Sequence, residues 1–200
     1  MKKYLSLFLI FVSLFSYGCQ GVPEKAEEVP EVVEEVKPEE PKSAKNELTP
    51  QERIDSAIFL SYPLFENTGY TIELVDSLAD YGKPEARGIC FYDEKKILVE
   101  YRLFDDYTDT FDITVLHEIA HAIDCENGML SETNDFQKAY SEINALLSAE
   151  DLKYTEDDIN YVSSSSSEYF AESYALYKLK GNLVKENAPL TYKFFENYMK

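Results

Sequence analysis

Positive charge, histidine and long apolar runs are all scarce in this chain of 200 residues. Lysine and arginine number 19 against 38 aspartates and glutamates, leaving a formal net charge of −19. Of these, 13 basic and 29 acidic residues lie after residue 50, so the acidity belongs mainly to the part that folds. Such a surface repels phosphate backbones and anionic headgroups, which speaks against nucleic-acid binding and leaves solubility as the plainest use of the charge. No apolar run reaches the roughly 20 residues a membrane-crossing helix needs. Two histidines rule out any site built on three. No internal repeat is present. What remains is 44% hydrophobic and 14% aromatic, enough to bury a core, in a length that suits one domain with appendages.

The longest apolar run, Leu5 to Phe15, follows Lys2 and Lys3 and precedes small residues and a cysteine, "SYGC". That is the layout of a secretory signal, and Cys19 after Gly18 resembles the lipobox of bacterial lipoproteins, in which the cysteine becomes a lipidated N-terminus. Residues 1–19 are therefore expected to be a lipoprotein signal. The protein is then extracytoplasmic, either anchored to the cell membrane through lipid on Cys19 or secreted. Residues 20–48 are rich in Glu, Pro, Val and Lys and lack aromatics. Proline blocks regular pairing and like charges extend the chain, so this stretch reads as a tether. The folded domain is expected over 49–200, as a monomer.

Thr49, Pro50 and Glu52 form a capping box with proline at the first helical position, and Ile54, Ala57, Ile58 and Leu60 supply that helix's buried side. Alternation from Tyr70 to Val75 predicts a strand, and "RGICFYDEKKILVEY" predicts two more, near 88–92 and 97–101, around a polar turn. Helical patterns follow: Thr110 to about Asn127, ended by Gly128; 132–148; 165–180, ended by Gly181; and one from Pro189. A small N-terminal sheet followed by a mainly helical C-terminal part makes the class α+β.

Both histidines lie in "VLHEIAHAIDCENG". At about 100° per residue, Leu116, Ile119, Ala120 and Ile123 share one face, while His117 and His121 lie within about 40° of each other on another, so both rings reach one point. A zinc ion asks for this arrangement, and Glu118 between them suits a general base beside it. Chance gives such a pair with such a glutamate roughly once in a thousand chains of this composition. A catalytic site usually takes three protein ligands, so the third is a carboxylate or a cysteine. Glu168 and Glu172, one helical turn apart among Phe170, Ala171, Tyr174, Ala175 and Leu179, are the best placed. Spacing alone favours neither.

"HEIAHAID…G", then "Y…EYFAE", then "NAPLTYKFFENYM" resemble the catalytic domain of anthrax toxin lethal factor and the related secreted proline-proline endopeptidases, over roughly residues 110–200. The resemblance implies a zincin-like fold and a zinc metalloendopeptidase acting on a protein or peptide substrate. It implies His117, His121 and Glu168 as ligands of Zn2+, Glu118 as the base, Glu172 as the second acidic residue of the motif, and Tyr161 as the hydroxyl that stabilises the tetrahedral intermediate. A run of five serines, 163–167, replaces a more varied segment of the family. The absence of translocation and receptor-binding regions favours the smaller secreted enzymes as the nearer likeness.

Other residues carry weighed roles. Asp124 can orient His121 or simply charge the helix end. Cys125 is in reach of a metal on the same helix, though a packed cysteine is the plainer role, and Cys90 and Cys125 can pair outside the cell. "KILVEY" offers either a strand edge for an extended substrate or an internal strand. The competing class is a non-catalytic metal-binding lipoprotein using the same fold as a surface binding module. Glu118 argues against it, because such a module has no use for a base.

Overall fold

The computed structural model describes residues 48–101 and 108–199. The expected signal, Cys19 and nearly all of the tether lie outside the described residues.

Helix α1, Pro50–Leu60, begins at the expected box: the Thr49 hydroxyl accepts from the Glu52 N–H at 3.3 Å and the Glu52 carboxylate accepts from the Thr49 N–H at 2.7 Å. Ile54 and Ala57 are buried, but Leu60, expected beside them, is 37% exposed. Ser61 lies within about 20° of Ile54 around the helix and takes the buried place instead.

Three strands follow: β1 (Thr71–Val75), β2 (Gly88–Phe91) and β3 (Lys96–Glu100), ordered β1-β3-β2. β3 is parallel to β1 and antiparallel to β2. Ile97, Leu98 and Val99 are fully buried in succession, as a strand covered on both faces requires. This corrects the edge reading of "KILVEY". A central strand has its backbone groups committed on both sides, so the edges of this sheet are β1 and β2.

The helical part comprises α2 (Thr108–Glu126), α3 (Asn134–Tyr140), α4 (Ile143–Leu147), α5 (Glu156–Val162), α6 (Ser166–Leu179), α7 (Gly181–Asn187) and α8 (Pro189–Tyr198). The single helix expected over 132–148 is two. Its break falls at Ser141 and Glu142, where the Glu142 carboxylate turns away to accept the N–H groups of Leu190 and Thr191 at 2.9 and 3.0 Å, satisfying the start of α8. Gly181 opens a new helix as well as closing α6. Leu179, expected to face inward, is 38% exposed at the end of α6, whereas Phe170, Ala171, Tyr174 and Ala175 are buried. Helix α5 escaped expectation although Thr155 and Asp158 form a capping box at its start.

α2 and α6 pack along each other, with α1 and the sheet also against α2. Residues 115–124 of α2 and 169–176 of α6 are buried without interruption. Helices covered all round sit at the centre of a fold, and side chains there are held from several directions.

Candidate metal centre and its cleft

α2 carries Leu116, Ile119, Ala120 and Ile123 into the core, as periodicity predicts, and turns His117 and His121 toward α6. Both histidines are also buried, 6% and 7% exposed, so each ring nitrogen needs a partner. Helix α6 supplies them. Ser165 caps its first turn by accepting the Glu168 N–H at 3.1 Å, which places Glu168 at the mouth and Glu172 one turn deeper.

His117 Nε2 lies 3.1 Å from His121 Nε2 and 3.1 Å from Glu168 Oε2, and His121 Nε2 lies 3.5 Å from that same oxygen. His117 Nδ1 meets Glu172 Oε2 at 2.9 Å, so that nitrogen is the natural N–H donor to the carboxylate. The outer nitrogen of His121 lies 3.3 Å from Ser167 Oγ, which donates to Asp124 Oδ2 at 3.4 Å and is free to accept from the ring. Both Nε2 lone pairs then face the Glu168 carboxylate across a small space. Three electron-rich atoms so arranged need a cation among them. Three ligand atoms placed about 2.0–2.1 Å from a tetrahedral metal stand roughly 3.3–3.4 Å apart, close to the spacing here. The donor set of two imidazoles and a carboxylate fits a metal, and His117, His121 and Glu168 are the residues that would hold it.

Electrostatics point the same way. Burial works to lower His117, but the Glu168 and Glu172 carboxylates outweigh it and push it up to about 10. Burial likewise opposes ionisation of Glu168, yet the His117 and His121 imidazoles beside it hold its carboxyl well below the usual range. In the metal-free protein a proton on His117 thus takes the place of the cation. Glu118, 6% exposed, is raised by burial, with the two imidazoles pulling it down and Glu168 adding to the rise.

Tyr161 sits on α5 with its ring stacked on His117, centroids 6.2 Å apart and planes 28° apart. Partial burial and the Glu168 carboxylate raise its hydroxyl, which therefore stays protonated as a donor. Asp124 is 1% exposed and mainly holds the turn after α2, accepting from Ser131 N at 2.7 Å and Ser131 Oγ at 2.6 Å; it reaches His121 only through Ser167. Cys90 and Cys125 are free thiols, and neither joins the ligand cluster. Burial pushes the Cys90 thiol up, so it stays protonated.

Two residues of the site were not expected. Tyr154 donates its hydroxyl to Glu172 Oε1 and so ties down the carboxylate that meets His117. As one of 16 tyrosines in no motif, it carried no signal. Ser167 belongs to the serine run, whose members prove to have separate tasks: Ser163 ends α5, Ser165 caps α6 and Ser167 bridges His121 to Asp124.

The centre opens into a cavity of about 790 Å³ lined by His117, Glu118, Tyr154 and Tyr161 together with Arg87 and Gly88 of the β2 side. Its size suits a bound ligand rather than a packing defect. No curated protein matches the chain. Residues 102–198 match the family described as Anthrax toxin lethal factor, N- and C-terminal domain.

Proposed function

From a segment, residues 102–198, that is lethal-factor-like, we propose that this protein is an extracytoplasmic zinc metalloendopeptidase with a zincin-like fold. The observation that carries the reading is the convergence of His117, His121 and Glu168 on one point, with Glu118 beside it at a cleft. Two nitrogens and one oxygen form a donor set that suits zinc, and three protein ligands leave the open position that catalysis needs. When bound, the metal supplies a Lewis acid that polarises a carbonyl and acidifies a neighbouring water molecule.

The chain's own residues do the rest. Glu118 takes a proton from the attacking water and returns it to the leaving amine; its carboxyl, raised by burial, is suited to both. Tyr161 presents a protonated hydroxyl at the cleft wall and donates to the oxygen that gains charge as the carbonyl becomes tetrahedral. Glu172 and Ser167 hold the outer nitrogens of the two imidazoles, which keeps both Nε2 atoms turned inward. The substrate is a protein or peptide. An acidic chain makes nucleic acid a poor partner. A lipid anchor at Cys19 would hold the enzyme to the membrane, with residues 20–48 as its tether.

The test is cleavage of a diverse peptide library by the purified protein beside Glu118→Ala, mapped by mass spectrometry. Cuts made only by the unsubstituted protein, and abolished by a chelator, are expected. A folded, metal-loaded protein that makes no more cuts than Glu118→Ala would turn the reading to a non-catalytic binding module.

A further inference from the structure

Gly69, Gly82 and Gly128 have φ between 74° and 77°, and each has open space where a side chain would begin. Their need is conformational. Gly88 is the opposite case. It stands at the start of β2 in ordinary strand pairing, opposite Val99, and the space beside its Cα is already filled. A Cβ there would lie 2.7 Å from Glu118 Cγ, 2.8 Å from Glu118 Oε1 and 2.9 Å from Thr114 Cγ2.

We infer that Gly88 is a positioning residue for Glu118: the missing side chain on β2 is the space that seats the carboxylate at the cleft. Thr114 and Glu118 are one turn apart on α2, so both face this part of β2. Three things there could yield to a methyl group. β2 is pinned by its ladder to the buried central strand β3. Thr114 is short and β-branched on a central helix, so at most it switches between two rotamers. Glu118 alone has a flexible chain, so it is the group that moves. The ligands are spared, because His117 and His121 face Glu168 on α6 rather than β2. Gly88 therefore governs the base and leaves the metal centre alone.

The role as an activity determinant rests on the peptidase reading, while the packing claim stands without it. The experiment uses the full chain and four proteins: unsubstituted, Gly88→Ala, Glu118→Ala and the double variant. Zinc titration, library-peptide cleavage and thermal melting are measured on each. Gly88→Ala should keep zinc affinity within about threefold while cleavage falls at least about a hundredfold, the scale of a misplaced reacting group. Its melting temperature should fall by several degrees with Glu118 in place and by clearly less in the Glu118→Ala background, where the two closest obstructing atoms are gone and only Thr114 Cγ2 remains. A Gly88→Ala protein that folds only in the double variant supports the same conclusion. Equal melting losses in both backgrounds, failure of both to fold, loss of zinc by Gly88→Ala, or unimpaired cleavage would each overturn it. If the unsubstituted protein cuts nothing, the peptidase reading fails, and the melting comparison still decides where Gly88 acts.

Discussion

At Glu172 one carboxylate meets the Nδ1 of His117 and also receives the Tyr154 hydroxyl, so two residues outside the ligand set hold one ring. Tyr154→Phe should leave the fold intact yet lower zinc affinity by about ten- to a hundredfold, the usual effect of losing such support. Competition titration with a chromophoric chelator reads this directly, and unchanged affinity would leave Tyr154 a packing residue. Glu118 and Glu168, both near the imidazoles, should separate cleanly. Glu118→Ala should retain zinc and lose cleavage, because its carboxylate is not among the clustered ligand atoms. Glu168→Ala should lose zinc, and full metal occupancy in that variant would remove Glu168 from the ligand set.

At the scale of elements, short α5 carries Tyr161, whose ring stacks on His117. Its start depends on Thr155, whose hydroxyl accepts the Asp158 N–H at 3.2 Å while the Asp158 carboxylate accepts the Thr155 N–H at 2.9 Å. Thr155→Ala should cost about 1 kcal/mol of stability. It should also lower kcat severalfold with zinc affinity unchanged, since no ligand lies on α5. Chemical denaturation and steady-state kinetics on one preparation check both. α3 plays a different part. Phe136 packs edge-on against Phe170 at 5.1 Å and Phe194 at 5.0 Å, joining α3, α6 and α8. Phe136→Ala should cost about 3–5 kcal/mol and so unfold a marginally stable protein near 37 °C.

For the whole molecule, the paired charges of the centre set how stability and metal binding change with pH. His117 is raised from its ordinary 6.5 to about 10. In the metal-free protein its contribution is therefore fully present below pH 6.5 and is lost as pH climbs toward about 10. Glu168 is depressed, so its contribution is present above the ordinary carboxylate range and is lost on acidification. Metal must displace the His117 proton. Zinc affinity should accordingly rise by up to about tenfold per pH unit through neutrality, as release of one proton requires. Isothermal titration at several pH values, in buffers of different ionisation enthalpy, counts that proton. A flat profile would mean that His117 is already neutral.

By itself the sequence determined the features that are local or periodic. The capping box of α1, the apolar stripe of α2, the alternation from Tyr70 to Val75 and the four-residue spacing of the histidines each depend on neighbours within two or three turns, and all are legible in order along the chain. The α+β class follows from them, and the reach of both imidazoles to one point follows from helix geometry alone. Tertiary structure decided what comes from afar. Spacing could not choose between Glu168 and Glu172, because only the depth of α6 against α2 puts the first beside both Nε2 atoms and the second behind His117. The break between α3 and α4 answers to a helix start 48 residues further on. β3 became central rather than an edge through pairing with β1, which no alternation pattern records. Tyr154, Ser167 and Gly88 gained their places because hydrogen bonds and steric contacts act through space, and nothing in a residue's own neighbourhood says which distant atom it will meet.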